Sequence, residues 1–291
     1  MFSHAIFMPG MPGWLDKAEA DYETLKPDSF KGYTIGDNTN KQLSKHPWRL
    51  DDEKLVYPFY EKLAKWSKTQ PSIANVCVHK GLYPPSVTQQ YPHLLPYANV
   101  DDVAKAAKDW PQLNFVIYHS AFRYTGGTWD EGWQQFMRTG RIDWVTDLAQ
   151  IPQKAGVNNV YGDLGQIFAQ STIAEPRLCA AMLGQLIQGL GSDHVVWGTD
   201  AIWTGSPQWQ IEALRRLEIP EDMQKKYGFA PLGPADGPIK QAIFGNNSAR
   251  IYHFTPGQRS ALAVDKVALA KLSYDEFGDG RTNLRYGYMQ T

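Results

Sequence analysis

One pattern constrains the fold of this chain most: a short apolar run followed by a polar loop and a helical stretch, repeated along the sequence. The predicted strands are residues 4–8, 30–35, 75–79, 114–119, 158–163 and 195–200. Runs that are almost continuously apolar are typical of strands buried on both faces of a parallel sheet. Strands alternating with helices in right-handed crossovers predict an α/β protein with either a doubly wound sheet or a (β/α)8 barrel.

Helical stretches separate these strands. The predicted helices are residues 13–26, 51–68, 100–110, 140–154, 175–190 and 208–217. Long loops, such as 122–132, follow the strands on the side where barrel enzymes build active sites. A closed barrel needs eight strands, and the sequence shows six. Residues 255–291 contain one predicted helix, 261–272, and no convincing pair of strands. We therefore assign residues 1–254 to a partial barrel and 255–291 to a helical or irregular extension.

Composition narrows the functional classes. The 291 residues are 43% apolar, and 29 Lys and Arg balance 30 Asp and Glu. This balance offers no basic excess for nucleic acid. No apolar run approaches the roughly 20 residues of a membrane span, and we expect no membrane partner. Cys77 and Cys179 are too few for a disulfide framework. No secretory signal is recognisable, so we expect a soluble cytoplasmic protein.

Several predicted strands end in residues that bind metals or transfer protons. His79, His119 and Asp200 end three strands, and Lys31 lies near the start of a fourth, which Asp37 follows. The carboxyl ends of parallel strands lie side by side, so we expect these side chains to converge. Imidazole and carboxylate are the usual ligands of a catalytic zinc or manganese ion. Such an ion lowers the pKa of its bound water to about 7.

Structural roles compete with these interpretations. A histidine at one strand end is more often hydrogen-bonded in a loop than bound to metal, although the repeated pattern lowers that expectation. An exposed lysine is the default interpretation of Lys31. Asp163 fits either a carboxylate at the barrel mouth or a loop cap. The tryptophans in the loop regions, Trp129, Trp133 and Trp203, fit either a wall for an aromatic substrate or loop anchors.

The order of several motifs resembles the amidohydrolase-related family of metal-dependent hydrolases and decarboxylases. The motifs are NVCVHKGLYP, FVIYHSAF, VYGDLG, VVWGTDAIWTGSPQ and IFGNNSARIY. No single motif is decisive, but their order and spacing are specific, and the match covers residues 3 to 254. The resemblance implies a distorted (β/α)8 barrel with one divalent metal ion at its mouth, zinc first and manganese second. The last motif resembles the family's closing helix, a packing element.

The resemblance also implies residue roles. His79 matches a histidine metal ligand, and Asp200 matches an aspartate that binds metal and acts as acid and base. His119 matches the histidine that polarises the substrate or transfers a proton. Lys31 lies near the place where some relatives carry a bridging carbamylated lysine, and we retain it as a substrate contact. With Trp203, which lies in the loop after Asp200, Lys31 and His119 form the expected substrate-binding set.

The chain also departs from the family pattern. Such proteins begin with a strand that carries a His-x-His or Glu-x-His pair, and here His4 stands alone in FSHAIF. This segment resembles the third family strand, so the first two strands are missing from the chain. Three explanations stay open: the sequence is a truncated piece, another segment completes the barrel, or the protein has lost its metal site.

Three functions follow from these considerations. The first is a metal-dependent hydrolase acting on a small carboxylated or aromatic substrate through a metal-activated water. The second is a decarboxylase of the same family, because both reactions use the same groups around the metal. The third is a non-catalytic binding or assembly protein, for which the missing His-x-His pair is the main support. The expected partners are a small-molecule substrate and either a second copy of the chain or a segment that completes the barrel.

Overall fold

Six parallel strands form a single sheet in chain order, so that each strand lies beside the next one in sequence. The structure is a computed structural model that describes residues 3–35, 45–81, 92–123 and 128–255, with the short pieces 272–273 and 276–277. The strands are β1 (His4–Ile6), β2 (Ser29–Tyr33), β3 (Asn75–His79), β4 (Asn114–Tyr118), β5 (Val160–Asp163) and β6 (Val195–Val196). The predicted α/β class is confirmed, and the described part of the chain contains six strands.

Helices connect the strands and cover one face of the sheet. They are α1 (Trp14–Leu25), α2 (Tyr57–Trp66), α3 (Leu95–Ala98), α4 (Val103–Asp109), α5 (Trp129–Thr139), α6 (Val145–Ala155), α7 (Gly165–Ala174), α8 (Pro176–Leu190), α9 (Gln208–Arg216), α10 (Glu221–Tyr227), α11 (Pro238–Gln241) and α12 (Asn247–Ile251). A π-helical turn, Ala242–Asn246, joins α11 to α12.

Two helices correct the sequence-based expectation. Helix α5 begins inside the predicted loop 122–132, because Thr128 and Glu131 form a capping box that satisfies free amide groups of the first turn. Trp129 and Trp133 are therefore helical residues. Helix α7 does not follow from the sequence pattern, because its faces differ little in polarity. It buries Ile167 and Phe168 among small side chains. A helix buried nearly all round lacks the apolar stripe that marks a surface helix.

Side chains alternate between the two faces of the sheet, as the period of a β-strand requires. One face packs beneath the helices in the main core, to which Phe30, Val76, Val78, Phe115 and Ile117 contribute. The other face is concave and holds a smaller cluster of Cys77, Val116, Tyr161, Val196 and Ile251. The concave face corresponds to the interior of a barrel.

The sheet curls strongly around this concave face. The His4 imidazole of β1 hydrogen-bonds through Nδ1 to the Tyr118 hydroxyl of β4 at 3.2 Å. Its Nε2 lies 3.0 Å from the hydroxyl of Tyr252, which follows α12. Since β2 and β3 lie between β1 and β4, this contact crosses the concave space. The six strands therefore form a barrel segment rather than a flat sheet.

Helix α12 packs at the amino ends of the strands. The Asn247 amide donates to the carbonyl of Val195 in β6 at 2.7 Å. On the other side, the Asn75 amide of β3 donates to the carbonyl of Ile251 at 2.8 Å. These bonds place the segment that was expected to close the barrel at the end opposite the strand-end histidines.

The remaining expectations concern the end of the chain. The predicted helix 261–272 lies outside the described residues apart from Leu272, and so does most of the extension 255–291. Among the helices described, none has the length and apolar character needed to cross a lipid bilayer.

Candidate active site

The carboxyl ends of the central strands bring together most of the residues singled out in the sequence. His79 ends β3, Asp163 ends β5, and His119 directly follows β4. The rings of His79 and His119 meet edge to face, with centroids 4.6 Å apart. Asp200 follows β6 after a short turn and is half-buried. The structure therefore brings His79 and His119 together with Asp163, and Asp200 lies near enough for its charge to raise the pKa of Asp163.

Asp163 holds the centre of this cluster. Its side chain is 7% exposed, and its Oδ1 accepts a hydrogen bond from the His119 amide at 3.3 Å. Two glycines leave room for the carboxylate. A Cβ at Gly198 would lie 2.1 Å from Asp163 Oδ2, and one at Gly165 would lie 2.8 Å from Oδ1. Sequence reasoning left the role of Asp163 open and missed both glycines, although each is within three residues of a motif aspartate.

Burial dominates the electrostatics of the cluster. It lowers the pKa of His79 to about 3, with a further contribution from the positive charge of Lys31. Burial also lowers the pKa of His119, helped by His79 and Lys31. The pKa of Asp163 rises to about 7 through burial, which outweighs the hydrogen bond from His119. The imidazoles are therefore neutral at neutral pH, while Asp163 can gain or lose a proton there.

Lys31 provides the positive charge on the concave face. Its ammonium lies 4.4 Å from the centre of the Tyr118 ring and 5.0 Å from that of the Tyr33 ring. Burial raises the pKa of Asp200, and Lys31 opposes this rise. The charge of Lys31 therefore lowers the pKa values of both carboxylates and of both histidines in the cluster. Its ammonium contacts the faces of aromatic rings rather than a described carboxylate.

Trp203 lies apart from the cluster. Its side chain is 85% exposed, on a turn that follows Asp200. The turn is fixed by a hydrogen bond from the Trp203 amide to the Asp200 carbonyl at 3.0 Å, and by one from the Thr204 hydroxyl to the Thr199 carbonyl at 2.7 Å. A substrate contact by Trp203 remains a prediction. Asp37 lies outside the described residues.

A buried ion pair anchors the end of β3. Lys80 follows His79 and is fully buried, and its ammonium lies 3.0 Å from the carboxylate of Asp102, which is equally buried. The same ammonium donates to the Tyr97 carbonyl at 3.0 Å, and Asp102 accepts a bond from the Leu50 amide at 2.8 Å. The pair thereby ties helix α3 and the segment around Leu50 to the strand that carries His79.

The expected divalent metal ion requires at least three protein ligands in a catalytic site. Two imidazoles and two carboxylates are suitable donor types. Within the described parts of the chain, however, no group of three or more His, Cys, Asp or Glu side chains is placed to hold a metal ion. His79 and Asp200, the ligands expected from the sequence, do not form a metal site with the other described residues.

Comparison with known proteins identifies the same fold. The sequence matches the family model described as amidohydrolase over residues 23–254. No curated protein matched it. Among solved structures, an uncharacterised TIM-barrel protein from Bordetella bronchiseptica is 14% identical, with a TM-score of 0.50. The match covers 87% of this chain and 66% of that one, so the chain spans about two thirds of its length.

Two further matches are structures with a bound metal ion. A dihydroxybenzoic acid decarboxylase from Polaromonas, with bound manganese and an inhibitor, is 15% identical, with a TM-score of 0.42. That match covers 82% of this chain and 65% of the decarboxylase. A zinc-bound amidohydrolase from Burkholderia multivorans is 13% identical, with a TM-score of 0.40. Here the match covers 82% of this chain and 88% of the other.

Proposed function

The chain belongs to the amidohydrolase family, and we propose that it hydrolyses a small carboxylated or aromatic substrate at the carboxyl end of its sheet. The observation that carries this proposal is the cluster of His79, His119, Asp163 and Asp200 close to the positive charge of Lys31. Acid, base and anion-binding groups then lie at one end of the barrel segment, where barrel enzymes bind their substrates.

Three of these groups have a direct role in the proposed reaction. The Lys31 ammonium attracts the carboxylate of the substrate. Its contacts among the described residues are with aromatic rings rather than with carboxylates, so its positive charge is available to an anionic substrate. Neutral His119 polarises the oxygen that gains charge during the reaction. Asp200, half-buried at the mouth, accepts the proton of the attacking water. Decarboxylation is the second candidate, since the same lysine and imidazole suit a substrate that loses its carboxylate.

The proposed zinc or manganese ion requires ligands beyond the described residues, and we assign it no step. Its presence is measured by elemental analysis of the purified protein, with His79→Ala for comparison. About one metal ion per chain, lost in this variant, supports a metal-dependent enzyme. Metal at background level in both proteins contradicts that part of the proposal.

Partners belong to the proposal as well. Within the described residues the curled sheet has six strands, whereas a closed barrel of this kind has eight. We propose that a second copy of the chain or a further segment completes it. Analytical ultracentrifugation distinguishes a monomer from a homo-oligomer.

The activity is tested with two panels of compounds. Hydroxybenzoates report decarboxylation through release of carbon dioxide, and carboxylated aromatic lactones report hydrolysis. We expect Asp200→Asn to lower kcat by about 10²- to 10⁴-fold, the usual contribution of a general acid or base. Asp193→Asn is the matched control, because this aspartate is exposed and precedes β6 at the opposite end of the strand.

Two results would overturn the proposal. One is turnover by Asp200→Asn close to that of the unmodified protein. The other is the absence of product from every compound of both panels. If benzoate nevertheless binds, and Lys31→Met abolishes this binding, the non-catalytic binding protein becomes the better description of the chain.

A further inference from the structure

The backbone after β4 adopts an unusual conformation that places His119. His119, Ser120 and Ala121 have positive φ angles of 57°, 48° and 55°. Residues other than glycine rarely adopt this left-handed region, because the Cβ atom then lies too close to the following carbonyl oxygen, so three in succession require support from their surroundings. Asp163 provides this support through two hydrogen bonds. Its side-chain Oδ1 accepts one from the backbone amide of His119 at 3.3 Å, and its backbone carbonyl accepts the other from the Ser120 hydroxyl at 2.9 Å.

The imidazole of His119 is fixed by a second element. The backbone amide of Gln166, at the start of α7, donates to His119 Nδ1 at 3.2 Å. Gly165 makes this approach feasible, because a Cβ there would lie 2.5 Å from Nδ1. The φ angle of Gly165, +37°, is also one that residues with a side chain rarely adopt. The amino end of α7 and the end of β5 therefore hold the ring and the backbone of the same histidine.

These contacts determine where the imidazole carries its proton. A ring nitrogen that accepts a hydrogen bond has no proton of its own, and in a neutral imidazole the other nitrogen is then the donor. Nδ1 of His119 accepts from Gln166, so the proton lies on Nε2. In this tautomer Nε2 donates a hydrogen bond but cannot receive a proton.

We propose that Asp163 and the Gln166 amide are positioning groups that hold His119 as an Nε2–H donor toward a substrate oxygen. This inference rests on the proposed function for the reaction that the donor serves. It deepens that function by separating two roles that the sequence left open for His119: polarising the substrate and transferring a proton. His119 polarises, and accepting a proton belongs to a carboxylate of the cluster.

The tautomer can be observed without a substrate. Long-range ¹H–¹⁵N correlation spectra of protein labelled in its histidine rings distinguish a protonated nitrogen from an unprotonated one. The His119→Gln variant identifies the signals of His119 among those of the other histidines. We expect Nδ1 of His119 to be unprotonated and Nε2 protonated. If Nδ1 of His119 carries the proton in the unmodified protein, the inference is wrong, and no further variant is needed to reach that conclusion.

Variants then test which groups impose the tautomer. Gln166→Pro removes the donating amide, and proline is tolerated in the first helical turn, where amides have no partner within the helix. Gln166→Ala is the matched control, because it removes the side chain and keeps the amide. We expect the Nε2–H form to persist in Gln166→Ala and to be partly lost in Gln166→Pro. An unchanged tautomer in folded Gln166→Pro contradicts the role of the amide.

Asp163 is tested by a similar pair. Asp163→Asn keeps an oxygen that can accept the His119 amide, so we expect the single tautomer to persist. Asp163→Leu removes the acceptor, and we expect the His119 signals to shift and to report a mixture of tautomers. Identical His119 spectra in both variants would refute positioning by Asp163. These measurements need no turnover, so a wrong tautomer leaves the proposed function standing, and a failed activity assay leaves the tautomer standing.

Discussion

The buried ion pair between Lys80 and Asp102 gives the sharpest test of what stabilises the segments packed around the end of β3, next to His79. Lys80→Met keeps the length and apolar stem of the side chain but removes the ammonium. Asp102 then remains fully buried with one hydrogen bond, from the Leu50 amide. We expect Lys80→Met to lower the free energy of unfolding by about 3–5 kcal/mol, the usual cost of leaving one member of a buried pair alone.

The geometry is consistent with this magnitude. At 3.0 Å, two unit charges attract by about 5 kcal/mol at an effective dielectric constant of roughly 20. Losing the bond to the Tyr97 carbonyl adds about 1 kcal/mol. Because part of this attraction is offset by the cost of burying both ions, the single substitution should be costly while removal of both charges is milder.

A double variant separates the lost pair from lost packing. In Lys80→Met/Asp102→Asn the amide oxygen still accepts the Leu50 amide, and no buried charge remains. We expect this protein to be more stable than Lys80→Met by about 2 kcal/mol. The measurement is equilibrium unfolding in urea followed by circular dichroism.

The control is an exposed pair, Lys225 and Glu221, whose side chains are 78% and 84% exposed. Lys225→Met should change stability by less than about 0.5 kcal/mol. The reasoning is refuted if Lys80→Met costs less than about 1 kcal/mol, or if the double variant is no more stable than Lys80→Met.

Two further substitutions test the concave face. Burial raises the pKa of Asp163 from 3.8 to about 7, so between these pH values the folded state binds more protons than the unfolded state. The free energy of unfolding should therefore increase as the pH falls from 7 to 4, by up to about 4 kcal/mol. Asp163→Asn should flatten this pH dependence, measured by urea unfolding with a chelator present, and an unchanged pH dependence would contradict the reasoning. Tyr252→Phe removes the hydroxyl that bonds His4 at 3.0 Å and should cost about 1 kcal/mol, whereas a neutral effect would show that this bond does not hold the curl.

The strands were predictable because their apolar runs are continuous, and a parallel sheet buried on both faces requires such runs. The convergence of His79 and His119 followed from the same rule, since strand ends lie together at one edge. Helix α7 was missed because it is buried nearly all round and shows no amphipathic period. The sequence pattern predicts loop regions at Trp129 and Trp133, whereas the capping box of Thr128 and Glu131 begins a helix there, and this local signal outweighs the lack of an apolar run.

The finer geometry of the candidate site depends on features that local patterns do not reveal. Positive φ angles at His119 and Asp200 occur in residues that usually avoid them, and no local pattern predicts them. The space that Gly198 leaves for the carboxylate of Asp163 joins the segment after β6 to the end of β5, two parts of the chain that are far apart in sequence. Gly165 in VYGDLG and Gly198 in WGTD each lie two residues from a motif aspartate, but the need for glycine at position 198 depends on how β5 and β6 are assembled.

Tyr118 connects the open side of the sheet to the candidate site. Its hydroxyl forms a hydrogen bond with His4 on β1, and its ring contacts the Lys31 ammonium. It also directly precedes His119, where the left-handed backbone begins. The position of β1 and the geometry of the site are therefore not independent. We therefore expect a polypeptide that adds to β1 and shifts His4 to change the positions of the Lys31 ammonium and of the His119 imidazole together, because Tyr118 contacts His4 and Lys31 and directly precedes His119.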